Sequence, residues 1–173
     1  MKNTAVNSIK YTGIVTLSQY IGSKKVKLAQ IQNEGSYSLF NFFSDCLLGD
    51  FDVARINRPT KIMLLSYITR DDQGKEIPPY YRDCSGFIYL LSRPEKVSSS
   101  GKSTVHYSFV ITRDILEGAA FDSIGLYADS ENNPENYAAI AKVSNLNLPG
   151  LSTSSALVVD WELNISNKDK EIV

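Results

Sequence analysis

The chain reads as a mostly β protein, an antiparallel β-sandwich of jelly-roll-like character with one α-helix packed against it. Three observations point there. Most of the sequence alternates apolar and polar residues with period two, the mark of strands with one buried and one wet face. Turn-forming segments interrupt the alternation at the short intervals of sandwiches and barrels. Only one stretch, around residue 40, switches to a helical period. The expected layout is an N-terminal arm over 1–7, one domain over 8–167 and a C-terminal tail over 168–173, both ends polar and loose.

In chain order, "IKYTGIVTL" sets Ile9, Tyr11, Val15 and Leu17 on one side, and "KKVKLAQI" follows closely enough to complete a hairpin. Lys24, Lys25 and Lys27 suit a solvated sheet edge, since lysine discourages pairing with a further strand. "GSYSLFNFFSDCLLGD" puts Leu39, Phe40, Phe43, Cys46 and Leu47 along a helical stripe, with Ser36 as N-cap and Gly49 as the stop, which gives a helix over about 36–48. "TKIMLLSYI" and "GFIYLLS" are nearly continuous apolar runs and suit buried central strands. "TVHYSFVIT" turns Val105, Tyr107, Phe109 and Ile111 inward and His106, Ser108 and Thr112 outward. "SIGLYAD" is a short strand, and "NYAAIAKVSN" alternates more weakly through Tyr137, Ala139, Ala141 and Val143. The clearest strand is "ALVVDWELNIS": Leu157, Val159, Trp161, Leu163 and Ile165 share one face, and Asp160, Glu162, Asn164 and Ser166 the other. The sum is roughly eight strands.

Composition narrows the chemistry. At 173 residues, 43% hydrophobic and 21% charged, the chain can bury roughly 70% of its unfolded surface without a metal or disulfide. A net charge of −1 argues against binding nucleic acid by phosphate neutralisation. Two cysteines, Cys46 and Cys84, make neither a disulfide framework nor a complete zinc site; Cys46, among Phe and Leu, is expected in the core. "MKNTAVNSIK" has no apolar leader core, and the longest apolar runs, "IMLL" and "ALVV", fall far short of a membrane span. The expectation is a soluble product made in a reducing compartment, with no membrane partner and no cofactor.

"SSSGKST" over 98–104 looks like the end of a phosphate-binding loop. The required first glycine falls on Lys96, however, and a β-branched alternating segment follows where a helix must start. The stretch is expected to be a hairpin loop with Lys102 at its tip. His106, the one histidine, falls on a wet strand face, where a surface role is expected. Asp160 and Glu162 flank Trp161 as a glycosidase pair could, but a solvated strand face explains them without further assumption; Asp71/Asp72 and Asp129/Glu131 are read likewise. Asp129, Glu131 and Asn133 alternate like a calcium loop but lack its glycine and its bidentate glutamate. Tyr80 and Tyr81 follow two prolines, so a stiff, exposed pair is expected there, suited to protein or sugar contact.

The segment Ile111–Ser166 resembles a pattern in virion proteins of tailed bacteriophages: a short strand reading "IGLY" (Ile124–Tyr127), a turn, a strand (Ala138–Val143), a polar loop, and a last strand carrying "WELNIS" (Leu157–Ser166). The run from Ser38 to Leu65, with "DCLLGD" and "NRPTKI", is similar to structural proteins of crAss-like phages. The turn "DSENNPEN" is longer than the usual tight turn of that pattern, which makes Asp129, Asn132 and Asn133 contact candidates beside Lys102, Tyr80 and Tyr81. The resemblance implies a non-enzymatic virion component, a head fibre or capsid decoration protein, assembled in the host cytoplasm. Its partners would be other capsid or tail proteins and its own copies, a trimer among the forms implied. A tail-fibre or adaptor part of the same virion and a carbohydrate-binding module are the alternative expectations. No catalytic residues are implied.

Overall fold

The computed structural model describes residues 9–35, 37–50, 52, 58–70, 73, 76–83, 85–129 and 139–167. Among them are ten strands and two helices. In order these are β1 (Ile9–Ile21), β2 (Lys24–Gly35), α1 (Tyr37–Leu48), β3 (Pro59–Arg70), β4 (Glu76–Asp83), β5 (Ile88–Tyr89), β6 (Glu95–Ser99), β7 (Lys102–Ile111), α2 (Arg113–Gly118), β8 (Ser123–Ala128), β9 (Ala141–Val143) and β10 (Leu157–Asn167). The expectations placed on Ser36 and Tyr137, and on the two ends, lie outside the described residues.

Every strand pairing is antiparallel. One sheet runs β2-β1-β10-β7-β6, and the second runs β4-β3-β8-β9 with β5 beside β3. The predicted β1–β2 hairpin forms, its register shifting between Leu17 and Ser18. β2 joins the sheets: Lys24–Asn33 pair with β1, and Glu34 and Gly35 pair with β9. The lysine-bearing start of β2 therefore has β1 as its one partner among the described residues, an open edge as its charges suggested. At the other end of the chain's path, β6 is exposed along its whole length.

The two sheets put their alternating apolar residues into one core. Val15, Leu17, Phe109, Ile111, Leu157, Val159 and Trp161 come from the first; Ile62, Leu64, Ile124, Leu126, Ala141 and Val143 come from the second. Each fully buried side chain of this kind stabilises by about 1.5–3 kcal/mol. β3 is buried on both faces, because Met63 and Leu65 pack with Tyr127 and Ala139 on its far side. That is why "TKIMLLSYI" shows no alternation. Leu116 of the short helix α2, which the periodicity did not reveal, also enters the main core.

Four expectations need correction. "GFIYLLS" is not a buried central strand: β5 has two residues, Ile88 is buried, and Tyr89 and Leu91 are exposed. Its place between the sheets is the reason. The Leu90 N–H donates to the Thr60 carbonyl at 3.0 Å and the Leu91 N–H to the Ser108 carbonyl at 3.0 Å, so this segment links β3 to β7 and buries Ile88 and, in part, Leu90 and Phe87. Second, the α1 stripe is only partly covered. Leu39 is buried with Ala128 and Ile140, and Phe43 packs on Tyr11, whereas Phe40 and Leu47 are exposed. Third, Cys46 is exposed rather than in the core. The first turns of α1 dock and the last turn projects past the docking face, taking Cys46, Leu47 and Leu48 into solvent. Fourth, Asn164 is not wet. It is buried on the outer face, where its Oδ1 accepts from the Thr104 hydroxyl at 2.6 Å.

The stop of α1 is as expected. Gly49 has φ +76, a conformation other residues rarely adopt. Its N–H bonds the Cys46 carbonyl and the Asp50 N–H bonds the Asp45 carbonyl, the paired closing bonds of a Schellman end.

Candidate functional site

The outward residues of β7 and β10 build a polar surface on the first sheet. Pairing sets His106 opposite Glu162 and Ser108 opposite Asp160. On the other side of β7, β6 brings Glu95 opposite His106, and β1 brings Thr16 beside Asp160. The result is one row of Glu95, His106 and Glu162 and a neighbouring row of Ser108, Asp160 and Thr16. His106 Nδ1 lies 3.7 Å from Glu162 Oε1. Both oxygens of Asp160 are engaged: its Oδ1 accepts from the Ser108 hydroxyl at 2.9 Å and its Oδ2 from Lys25 Nζ at 2.7 Å. These rows line a hollow of about 470 Å³ bounded by Ser92 and Arg93.

A second hollow, about 460 Å³, shares Ser92 and Arg93 and is completed by Arg58, Pro59, Thr60, Leu90 and Pro94. The hydrogen bonds of Leu90 and Leu91 to β3 and β7 fix the 92–94 segment between the two hollows. Arg58 Nη2 stands 3.9 Å from Asp129 Oδ2, both side chains about half exposed. Thr60 Oγ1 donates to Asp129 Oδ1 at 3.4 Å. Behind them Lys61 is buried, its ammonium 4.3 Å from the Phe87 ring centre and 3.4 Å from the Asp129 carbonyl oxygen. Such a burial is tolerable because the ring face and the carbonyl replace lost water.

Beneath the polar rows, burial pushes the Tyr107 phenol up to about 12, with Tyr11 nearby adding to the effect. The Tyr11 phenol is also raised by burial, partly offset by the Asn33 amide, whose Nδ2 donates to it at 3.3 Å.

Of the residues singled out in the sequence, Asp129 directly follows β8 and contacts Arg58 and Thr60, which line the second hollow. Lys102 is exposed at the start of β7, directly after the β6–β7 turn. Tyr80 and Tyr81 lie in β4, opposite Ile68 and Tyr67 of β3. Asn132, Asn133 and Cys84 lie outside the described residues. Asp160, Glu162 and His106, read in sequence as separate surface residues, are brought together. Arg58 and Arg93 were passed over, since "NRPT" and "SRPE" differ little from ordinary turn sequence. Among the described residues no group of three or more His, Cys, Asp or Glu could hold a metal ion, and no helix is long and apolar enough to cross a membrane.

Comparison with protein-family models, with curated proteins and with solved structures finds no match to this chain.

Proposed function

We propose that this chain is a non-enzymatic structural protein of a tailed-phage virion, attached to the capsid as a head fibre, decoration or auxiliary protein. The observation that carries the reading is the projecting last turn of α1. Leu47 and Leu48 are 87% and 82% exposed and Phe40 is 59% exposed, on a helix whose end is fixed by two closing hydrogen bonds. Large apolar side chains held rigidly in water mark contact surfaces. Tyr20 and Ile21, at the tip of the β1–β2 hairpin, present a second such point. A capsid-bound role needs stable architecture and contacts of this kind, and the phage-like segments Ser38–Leu65 and Ile111–Ser166 supply the class of partner. Two antiparallel sheets feeding one core support a sandwich of jelly-roll-like character.

The test is to purify particles from a producing culture and ask whether the chain is present, alongside a Leu47→Lys, Leu48→Lys variant. The wild type is expected in the particles. The variant, having lost only exposed side chains, is expected to fold normally but to be depleted from them at least about tenfold. Absence of the wild-type chain from particles, or a monomer without affinity for capsid or tail proteins, would overturn the reading.

A further inference from the structure

The two hollows share Ser92 and Arg93 in their lining and together combine features that no single-charge patch has. At one end Arg58 and Arg93 face the same space, with the hydroxyl residues Thr60 and Ser92 beside them and Leu90 and Pro94 as apolar wall. Arg93 is exposed and makes no ion pair or hydrogen bond among the described residues. The Arg58–Asp129 contact is long and half exposed, the kind of pair that contributes little and yields readily to a better partner. At the other end Glu95 and Glu162 flank His106, and acceptor oxygens dominate.

We propose that this groove binds an acidic saccharide, a sugar chain carrying a carboxylate group. The carboxylate sits between Arg58 and Arg93, whose planar guanidinium groups match it with paired N–H donors. The hydroxyls of the adjoining sugar ring donate to Glu95 and Glu162, which accept hydrogen bonds from uncharged donors without repulsion. Leu90 and Pro94 meet the C–H face of the ring. Each hollow falls within the roughly 300–1,000 Å³ typical of ligand sites. A uniformly anionic partner, such as an acidic peptide or a nucleic acid, fits less well, because its next negative group would meet Glu95 and Glu162. The inference concerns what the groove binds and stands apart from the virion reading.

The probe is 3′-sialyllactose, one carboxylate-bearing sugar beside two neutral rings, titrated into the full chain and followed by calorimetry and amide chemical shifts. Its methyl ester and hexaglutamate are titrated in parallel. 3′-Sialyllactose is expected to bind, with shifts centred on residues 90–95 and 106–108. Arg93→Gln is expected to weaken binding about tenfold or more, the scale of one lost charge-assisted bidentate contact. Glu162→Gln should weaken it about threefold to tenfold. Both side chains are substantially exposed, so circular dichroism and the unfolding midpoint should hardly change. The methyl ester should not bind. No binding of 3′-sialyllactose at millimolar concentration would overturn the proposal. So would equal binding of the methyl ester, equal binding of hexaglutamate, or indifference to Glu162→Gln.

Discussion

Gln19 shows how much a single side chain can decide. It lies two residues beyond Leu17 on the inward parity of β1 and is 2% exposed. Its Nε2 donates to the carbonyls of Ser152 at 2.7 Å and Ser155 at 3.0 Å, and its Oε1 accepts from the Ser152 N–H at 2.9 Å. A buried amide with three backbone partners fastens the 152–155 loop to the strand. Gln19→Ala is therefore expected to cost on the order of 2–3 kcal/mol, seen as a lower urea midpoint. The segment read as a strand ended at Leu17, and the partners of Gln19, more than 130 residues away, were not legible in the sequence. Cys46 illustrates the opposite error. Its apolar neighbours suggested burial, but whether a helical stripe is covered depends on where the helix ends relative to the sheet, which local pattern does not carry.

At the scale of elements, legibility followed locality. The extent of α1 was readable because its period and its Gly49 stop are encoded within a few residues. The β1–β2 and β6–β7 hairpins were readable because a short turn leaves adjacent strands little choice. In the second of these, Ser99 pairs with Lys102 across the two residues Ser100 and Gly101, and Gly101 has φ +79. The Lys102 side chain is exposed and outside any buried network. Lys102→Ala should thus change stability by no more than about 0.5 kcal/mol, checked by thermal and urea unfolding. Gly101→Val, by contrast, would force a β-branched residue into left-handed backbone. β5 was misread because its apolar composition is that of a core strand while its task is to bridge two sheets. The polar groove was likewise hidden: each strand face looked merely solvated, and only the register of β6, β7, β10 and β1 shows that the faces adjoin.

The molecule as a whole depends on one shared core, and its alkaline limit can be derived from it. Tyr107 is 8% exposed within that core, and its phenol ionises near 12 instead of the ordinary 10.0. A raised phenol means that the fold keeps a proton the unfolded chain releases. The stabilisation is fully present below pH 10 and is lost as pH climbs from 10 through about 12. The loss should reach roughly 2–3 kcal/mol, two pH units at 1.36 kcal/mol each. Urea titrations at pH 8 and pH 11.5, read by the fluorescence of Trp161, the single and fully buried tryptophan, will show it. Tyr107→Phe should flatten most of the slope and leave a residue from Tyr11, which burial raises in the same sense.

The pairing of Ile9 with Asn167 across the first sheet has a mechanical consequence. These two residues lie side by side on neighbouring strands. A load drawn between Ile9 and Asn167 opens the β1–β10 ladder like a zipper, one rung at a time, whereas a load between Asn167 and the far tip of the β1–β2 hairpin must shear many rungs together. The same ladder would thus resist force very differently according to where the force is applied.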